Sequence, residues 1–237
     1  MLLADFHIHT TWSDGKLSIA EVVDLFGRSG HDVIAITDHV VNSDTLIGVA
    51  THRLGLTVTE ANFAQYREEI EREKKRALDQ YGMIMIAGVE LTQNRVTWRN
   101  SAHVIALGVD EFISADGTVE EMLERANARS RIVVACHPHE QSDWYANTFY
   151  LWNRRNEVAH LVDLWEIACR WDLFPPVARA RVRYIGNSDF HRPEHLYAWK
   201  TLVPARANEL AVYRALESGS GLAVTRLEPP SLAEESA

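Results

Sequence analysis

The chain has 237 residues, 46% of them apolar and 24% charged, with a formal net charge of −9. That length and apolar share suit one large α/β domain with a sizeable core rather than two small ones. The acidic balance excludes a broad electrostatic grip on duplex nucleic acid, which needs many Lys and Arg set against phosphates, and leaves a small or single-stranded substrate open. Cys136 and Cys169 lie far apart, without the paired spacing of a structural zinc site or a disulfide framework, which fits a reducing compartment. Met1 to Asp5 has no basic segment, so neither a signal peptide nor a membrane span is expected and the expected location is cytoplasmic.

Met1 to His9 reads as a short strand, and Ser18 to Ser29 as a helix, with Ser18 and Glu21 at capping-box spacing and Gly30 as the stop. Val33 to Thr37 is apolar and β-branched, a second buried strand completing a β-α-β unit. Val40 to Thr59 reads as irregular, punctuated by Asn42, Ser43, Asp44, Gly48 and Gly55. Glu60 to Tyr81 reads as a long charged helix with a solvated face, and Met83 to Val89 as the next strand. Twelve residues separate Glu90 from His103, too few for a crossover helix, which predicts an antiparallel pair bringing Glu90 beside His103. Thr118 to Ser130 and Asn156 to His160 read as helical. Arg131 to Cys136, Leu161 to Ile167 and Arg183 to Ile185 read as strands. Strands alternating with helices predict a barrel-like or open α/β sheet, and the tail from Leu227 reads as frayed.

The chain contains eleven histidines, and several terminate predicted strands beside carboxylates. His7-x-His9 follows the first strand, His39 the second, Glu90 the third and Asp189-x-His191 the last; His103 and His137 occupy two further strand edges. Residues i and i+2 of a strand share a face, so each H-x-H or D-x-H pair can act as a chelating arm. A lone strand-edge histidine is usually just a satisfied or exposed imidazole, but here that explanation must succeed six times. Imidazole with carboxylate suits zinc, manganese or iron, and the absence of cysteine ligands points away from a purely structural zinc site. A mixed set leaves positions for water and substrate.

These motifs, His7-Ile8-His9 with Ser13-Asp14-Gly15, Thr37-Asp38-His39, Gly88-Val89-Glu90, His103, His137-Pro138 and Ser188-Asp189-Phe190-His191, resemble the PHP (polymerase and histidinol phosphatase) family over roughly residues 3 to 200. The resemblance implies an α/β fold, a distorted (β/α)7 barrel with its metals at the C-terminal rim, as one catalytic domain over residues 1–226 with residues 227–237 as a flexible tail. It implies two to three divalent ions (Zn, Mn or Fe): one at His7, His9, Glu90 and Asp189, a second at Glu90, His103 and His137, and a third at Asp14, His39 and His191. Glu90 then bridges the first two, and a metal-bridging water, deprotonated near neutral pH, attacks phosphorus in line. His191, or a water on the third ion, is the candidate that protonates the leaving group. The implied function is hydrolysis of a phosphate ester, whether a small phosphomonoester or the end of a nucleotide or short oligonucleotide. The alternatives are a non-catalytic metal-binding PHP module and an amidohydrolase-type metallohydrolase. The latter is disfavoured because Glu90 stands where a bridging lysine would be expected.

Outside the ligand set, Arg192 directly follows His191 and is the leading candidate for the substrate phosphate, with Arg95, Arg99 and His139 as further substrate-binding candidates. Arg170 and Lys16 carry a similar, weaker case. His31, His52, His160 and His195 have no motif context and read as structural or surface residues. The aromatic stretch Trp144 to Trp171 reads mainly as packing, with Trp144 and Tyr145 the members best placed to stack a base. Partners are expected to be a small phosphorylated substrate or a nucleotide or short single-stranded nucleic acid, with no membrane; the sequence leaves the oligomeric state open.

Overall fold

The computed structural model describes residues 1–95, 101–138 and 149–229. β1 (Leu2–Ile8) leads through α1 (Ile19–Arg28) to β2 (Val33–Ile36), which pairs parallel to β1 with Ala4 opposite Val33. The Ser18 side chain accepts from the Glu21 amide, and Glu21 returns to the Ser18 amide at 2.8 Å, so the predicted capping box starts α1. α1 then buries Val22, Val23 and Phe26 against the sheet, each contributing roughly 1.5 to 3 kcal/mol of apolar transfer.

The stretch expected to be irregular instead holds β3 (His39–Val41) and α2 (Leu46–Arg53). β3 is short and α2 leaves Leu46 86% exposed, so neither carries an inward-facing apolar period that sequence can register. α3 (Phe63–Tyr81) buries Tyr66, Ile70, Glu73 and Ala77 along one face and ends at Gly82, whose φ of 63° is the left-handed turn that glycine tolerates best. Its remaining charged positions form the solvated face.

β4 (Ile84–Gln93) and β5 (Ala102–Leu107) are the expected antiparallel pair, with Glu90 opposite Ile105 and Thr92 opposite His103. α4 (Val119–Arg129) carries a second capping box, from Thr118 and Glu121, and leads to β6 (Ile132–Ala135). Two short helices, α5 (Phe149–Asn153) and α6 (Arg155–Val158), precede β7 (Leu164–Cys169). β8 (Asp172–Leu173) and α7 (Pro175–Arg179) then lead to β9 (Tyr184–Asn187). The chain finishes with β10 (Trp199–Val203), α8 (Glu209–Ser218) and β11 (Ala223–Arg226), three elements that the sequence reading did not anticipate.

All eleven strands among the described residues belong to one mixed sheet. Its wall runs β1-β2-β4-β5-β6-β7-β9 and curls until the chain after β9 meets the end of β1. There the Phe190 amide donates to His7 O at 2.9 Å and the His9 amide to Phe190 O at 2.8 Å. The result is the expected distorted barrel, with β5 antiparallel to both neighbours and β10 antiparallel on the other side of β1. α1, α3 and α4 cover one apolar layer of the sheet, while Val212, Tyr213 and Leu216 of α8 join a second. Among the described residues, no helix is long and apolar enough to cross a membrane.

Candidate metal centre

His7 and His9 lie at and just beyond the end of β1, His137 just beyond β6, and Asp189 and His191 in the segment after β9; His39 opens β3, Glu90 and His103 lie within β4 and β5, Asp14 lies in the loop after β1, and all nine converge. His7 and His9 are fully buried, as is Glu90 on β4. His7 Nε2 lies 3.4 Å from Glu90 Oε1 and 3.5 Å from Asp189 Oδ1. His9 Nε2 lies 3.5 Å from Glu90 Oε2 and 3.4 Å from the same Asp189 oxygen. His103 Nδ1 and His137 Nε2 stand 3.2 and 3.5 Å from Glu90 Oε1. At the outer end, Asp14 Oδ1 is 3.2 Å from His191 Nε2 and 3.6 Å from His39 Nε2, while His39 Nδ1 sits 2.7 Å from Glu90 Oε2.

Among the described residues, four overlapping groups have the compactness of cation sites: His7, His9 and Asp189; His7, Glu90 and His137; His9, Asp14, His39 and His191; and His7, Glu166 and Cys169. They differ from the expected division at the seams, where His7 also faces the second group and His9 the third. The backbone is strained at this rim, with Asp189 at φ 47°, His137 at φ 22° and Arg170 at φ 52°, a region that non-glycine residues seldom enter.

The buried atoms supply the test of fit. His7 Nε2, His9 Nε2, both oxygens of Glu90 and His103 Nδ1 have no hydrogen-bond partner. The opposite ring nitrogen of His7 is engaged, Nδ1 donating to Glu166 Oε1 at 2.9 Å, and His103 Nε2 donates to Asn94 Oδ1 at 3.0 Å. The nitrogens left over therefore present lone pairs to carboxylate oxygens, an arrangement that needs a proton or a cation between them. The titration behaviour agrees. Burial lowers His7, but Glu166, Glu90 and Asp189 outweigh it and raise its pKa well above the ordinary value. His39 is likewise pulled down by burial, yet Glu90 and Asp14 lift it to about 9. His9, buried and flanked by His191 and His39, falls to about 3. Burial opposes ionisation of Glu90, but His39, His7 and His103 hold its pKa well below the usual range. The donor set fits divalent cations.

The centre opens into a cavity of about 890 Å³ whose rim includes Lys16, Arg170, Trp171 and Arg192. Arg170 Nη2 donates to Asp189 Oδ2 at 2.6 Å, and its Nε is buried without a partner. Arg192 is more exposed and its Nε donates to His195 Nε2 at 3.2 Å. Arg95 turns away from the cavity, with Nη2 on Gly117 O at 2.9 Å and Gln93 Oε1 at 3.3 Å. Arg99, His139, Trp144 and Tyr145 lie outside the described residues. His195, expected to be structural or at the surface, is buried in the cavity wall, and its Nδ1 accepts from the His191 amide at 3.1 Å. His52 is structural as expected, donating to Val41 O at 2.8 Å. Trp152 packs edge-on against Trp165 and Phe174, which places that part of the aromatic stretch in the core. Glu166, buried in the apolar run of β7, was missed. Its signal is a lone acidic residue where a strand offers no solvent.

Residues 5–115 match the PHP domain model. That match spans a little under half of the chain. It contains His7, His9, Asp14, His39, Glu90 and His103, while His137, Asp189 and His191 lie beyond it. Among curated relatives, the chain is 27% identical over 134 residues to the DNA polymerase/3'-5' exonuclease PolX of Bacillus subtilis, covering 56% of this chain and 23% of that protein. Among solved structures, a two-domain Bacteroides vulgatus protein described as containing a predicted PHP-like metal-dependent phosphoesterase superposes with a TM-score of 0.68 at 20% identity, over 95% of this chain and 65% of that one. An amidohydrolase from Chromobacterium violaceum, solved with sulfate and no metal, superposes with a TM-score of 0.54 at 16% identity, over 98% of this chain and 99% of the other. At those identities the structural likeness establishes the fold, and the fold is the distorted barrel of PHP proteins.

Proposed function

We propose that this protein is a cytoplasmic metal-dependent hydrolase of phosphate esters, acting on a small phosphomonoester or on the end of a nucleotide or short oligonucleotide. The observation that carries the reading is the set of five buried, unpartnered ligand atoms on His7, His9, Glu90 and His103 aimed at one another beneath a rim of cationic side chains. Two to three Zn, Mn or Fe ions would be held by His7, His9, Glu90 and Asp189, by Glu90, His103 and His137, and by Asp14, His39 and His191, with Glu90 shared between the first two. When bound, such ions supply Lewis acidity and a nucleophilic water at neutral pH.

The chain's own groups do the rest. Arg170, fixed by Asp189 and with Nε free, offers a guanidinium edge to the non-bridging oxygens of a phosphate in the cavity, and Arg192 and Lys16 add positive charge at the mouth. Three carboxylates, Asp14, Glu90 and Asp189, would repel that phosphate without cations, so substrate binding depends on loading. His191 lines the cavity beside Asp14, and it, or a water on the third ion, would deliver a proton to the leaving oxygen. Incubating metal-loaded protein with phosphomonoesters, nucleotides and short oligonucleotides tests the reading by released phosphate. Uptake of two to three equivalents of Mn or Zn with chelator-sensitive turnover is expected. A protein that takes up no cation after reconstitution overturns it.

A further inference from the structure

Glu166 sits on β7, fully buried, and is not among the nine predicted ligands, although it lies close to His7 and Cys169. Three N–H groups from three different parts of the barrel converge on its carboxylate. His7 Nδ1 on β1 reaches Oε1 at 2.9 Å, Asn187 Nδ2 on β9 reaches the same oxygen at 2.8 Å, and the backbone amide of His137, just beyond β6, reaches Oε2 at 2.7 Å. Both oxygens are therefore committed within the protein.

Each contact has a consequence for metal binding. The first keeps the His7 proton on Nδ1, so that Nε2 carries the lone pair facing Glu90 and Asp189; without the acceptor, either ring nitrogen can be protonated and half of the binding geometry is lost. The second holds Asn187, whose Oδ1 accepts the Phe6 amide at 2.9 Å and so ties β9 to β1 at the level of the chelating arms. The third anchors His137 in a backbone conformation, φ 22°, that costs energy unless its surroundings enforce it.

We infer that Glu166 is a positioning residue that sets the His7 tautomer and the His137 backbone together, and so couples the inner ligands into one preorganised cation site. The inference rests on the metal reading proposed above. A glutamine at this position leaves one oxygen for three donors and turns an NH2 group towards another N–H, whereas an aspartate keeps the charge but withdraws it by one methylene.

The test uses the full chain, stripped of metal and titrated with Mn2+ and Zn2+ against a fluorescent chelator, well below the unfolding temperature. Glu166→Gln is expected to weaken the tightest cation class ten- to a hundredfold, and Glu166→Asp to weaken it less. In 15N-labelled, zinc-loaded wild-type protein, His7 is expected to show a protonated Nδ1 and a metal-bound Nε2. This measurement stands even if a variant fails to fold. Unchanged cation affinity in the variants, or a His7 ring bound through Nδ1, overturns the assignment of Glu166. A wild-type chain that takes up no cation overturns the metal reading itself.

Discussion

On β1, Asp5 and His7 lie two residues apart and belong to buried charge clusters of opposite character. Asp5 Oδ2 is 3.1 Å from Lys200 Nζ on β10, and both residues are fully buried. The pair is matched in charge: Asp5 Oδ2 has no hydrogen-bond partner but faces the ammonium, Asp5 Oδ1 accepts the amides of His7 and Ser188 at 3.3 and 3.2 Å, and the ammonium also donates to Trp199 O at 3.3 Å. Around His7, in contrast, Glu90 and Asp189 meet histidine nitrogens that lack hydrogen-bond partners. A buried charge matched inside the protein serves the fold, whereas one left unmatched at the same depth suits an external cation.

Removing the shared member of the open cluster gives the largest expected effect. Glu90→Gln takes away a carboxylate that stands within 3.5 Å of ring nitrogens of His7, His9, His39, His103 and His137 at once. A fall on the order of a thousandfold in kcat/KM is expected, several kcal/mol of charge stabilisation at 1.36 kcal/mol per decade. The rise in Tm that cations give the wild-type protein should vanish. An intact metal-induced Tm shift in this variant would show that the carboxylate is structural.

The charge-matched cluster should respond the other way. Lys200→Met strands the Asp5 charge, and breaking a buried pair from one side costs about 3 to 5 kcal/mol of stability. Denaturant unfolding of the metal-free protein measures that loss, while cation stoichiometry at low temperature should stay at the wild-type value. Loss of cations with stability intact would merge the two clusters.

A pH effect sharpens the same contrast. His31 is buried, its ring edge-on to Phe26, with Lys200 and Asp5 as the charged groups around it. Burial first, and then the Lys200 charge, lower its pKa to about 4 from an unfolded value of 6.5. Between those values the unfolded chain binds the proton that the folded one refuses, so this contribution is complete above pH 6.5 and is lost as pH falls towards 4. It amounts to on the order of 3 kcal/mol. In His31→Phe, the slope of stability against pH over that window should flatten. An unchanged slope would assign it to other groups.

The division between clusters also explains what could be read from the sequence. The nine candidate ligands were legible because chelation needs particular residue types at strand ends, and α1 because Ser18 and Glu21 mark a helix start locally. Glu166, His195 and the Asp5–Lys200 pair were not, because each acquires its role from a partner far along the chain: Glu166 lies 159 residues from His7. β10 escaped for a related reason. A lysine in Trp199–Val203 breaks the apolar pattern of a buried strand, and only the carboxylate on the neighbouring strand makes that lysine tolerable inside. α2 escaped because its apolar residues face outward, where no periodicity signals burial.

The smallest expected effect separates the two arginines at the cavity mouth. Sequence order favours Arg192, which follows His191, but its side chain is 62% exposed and its Nε already donates to His195. Arg170 is held by Asp189 and keeps a buried Nε without a partner, so it belongs to the open cluster, whereas Arg192 is largely solvated. Exchange for lysine keeps the charge and removes the fork. Arg170→Lys is expected to lower kcat/KM by roughly ten- to a hundredfold, the worth of a hydrogen bond to a charged group, and Arg192→Lys by less than about tenfold. Metal content should be unchanged in Arg192→Lys, which makes it the cleaner probe of phosphate contact. If Arg192→Lys shows the larger loss on the best substrate found, the exposed arginine swings in to meet the phosphate, and the order of the two positions is reversed.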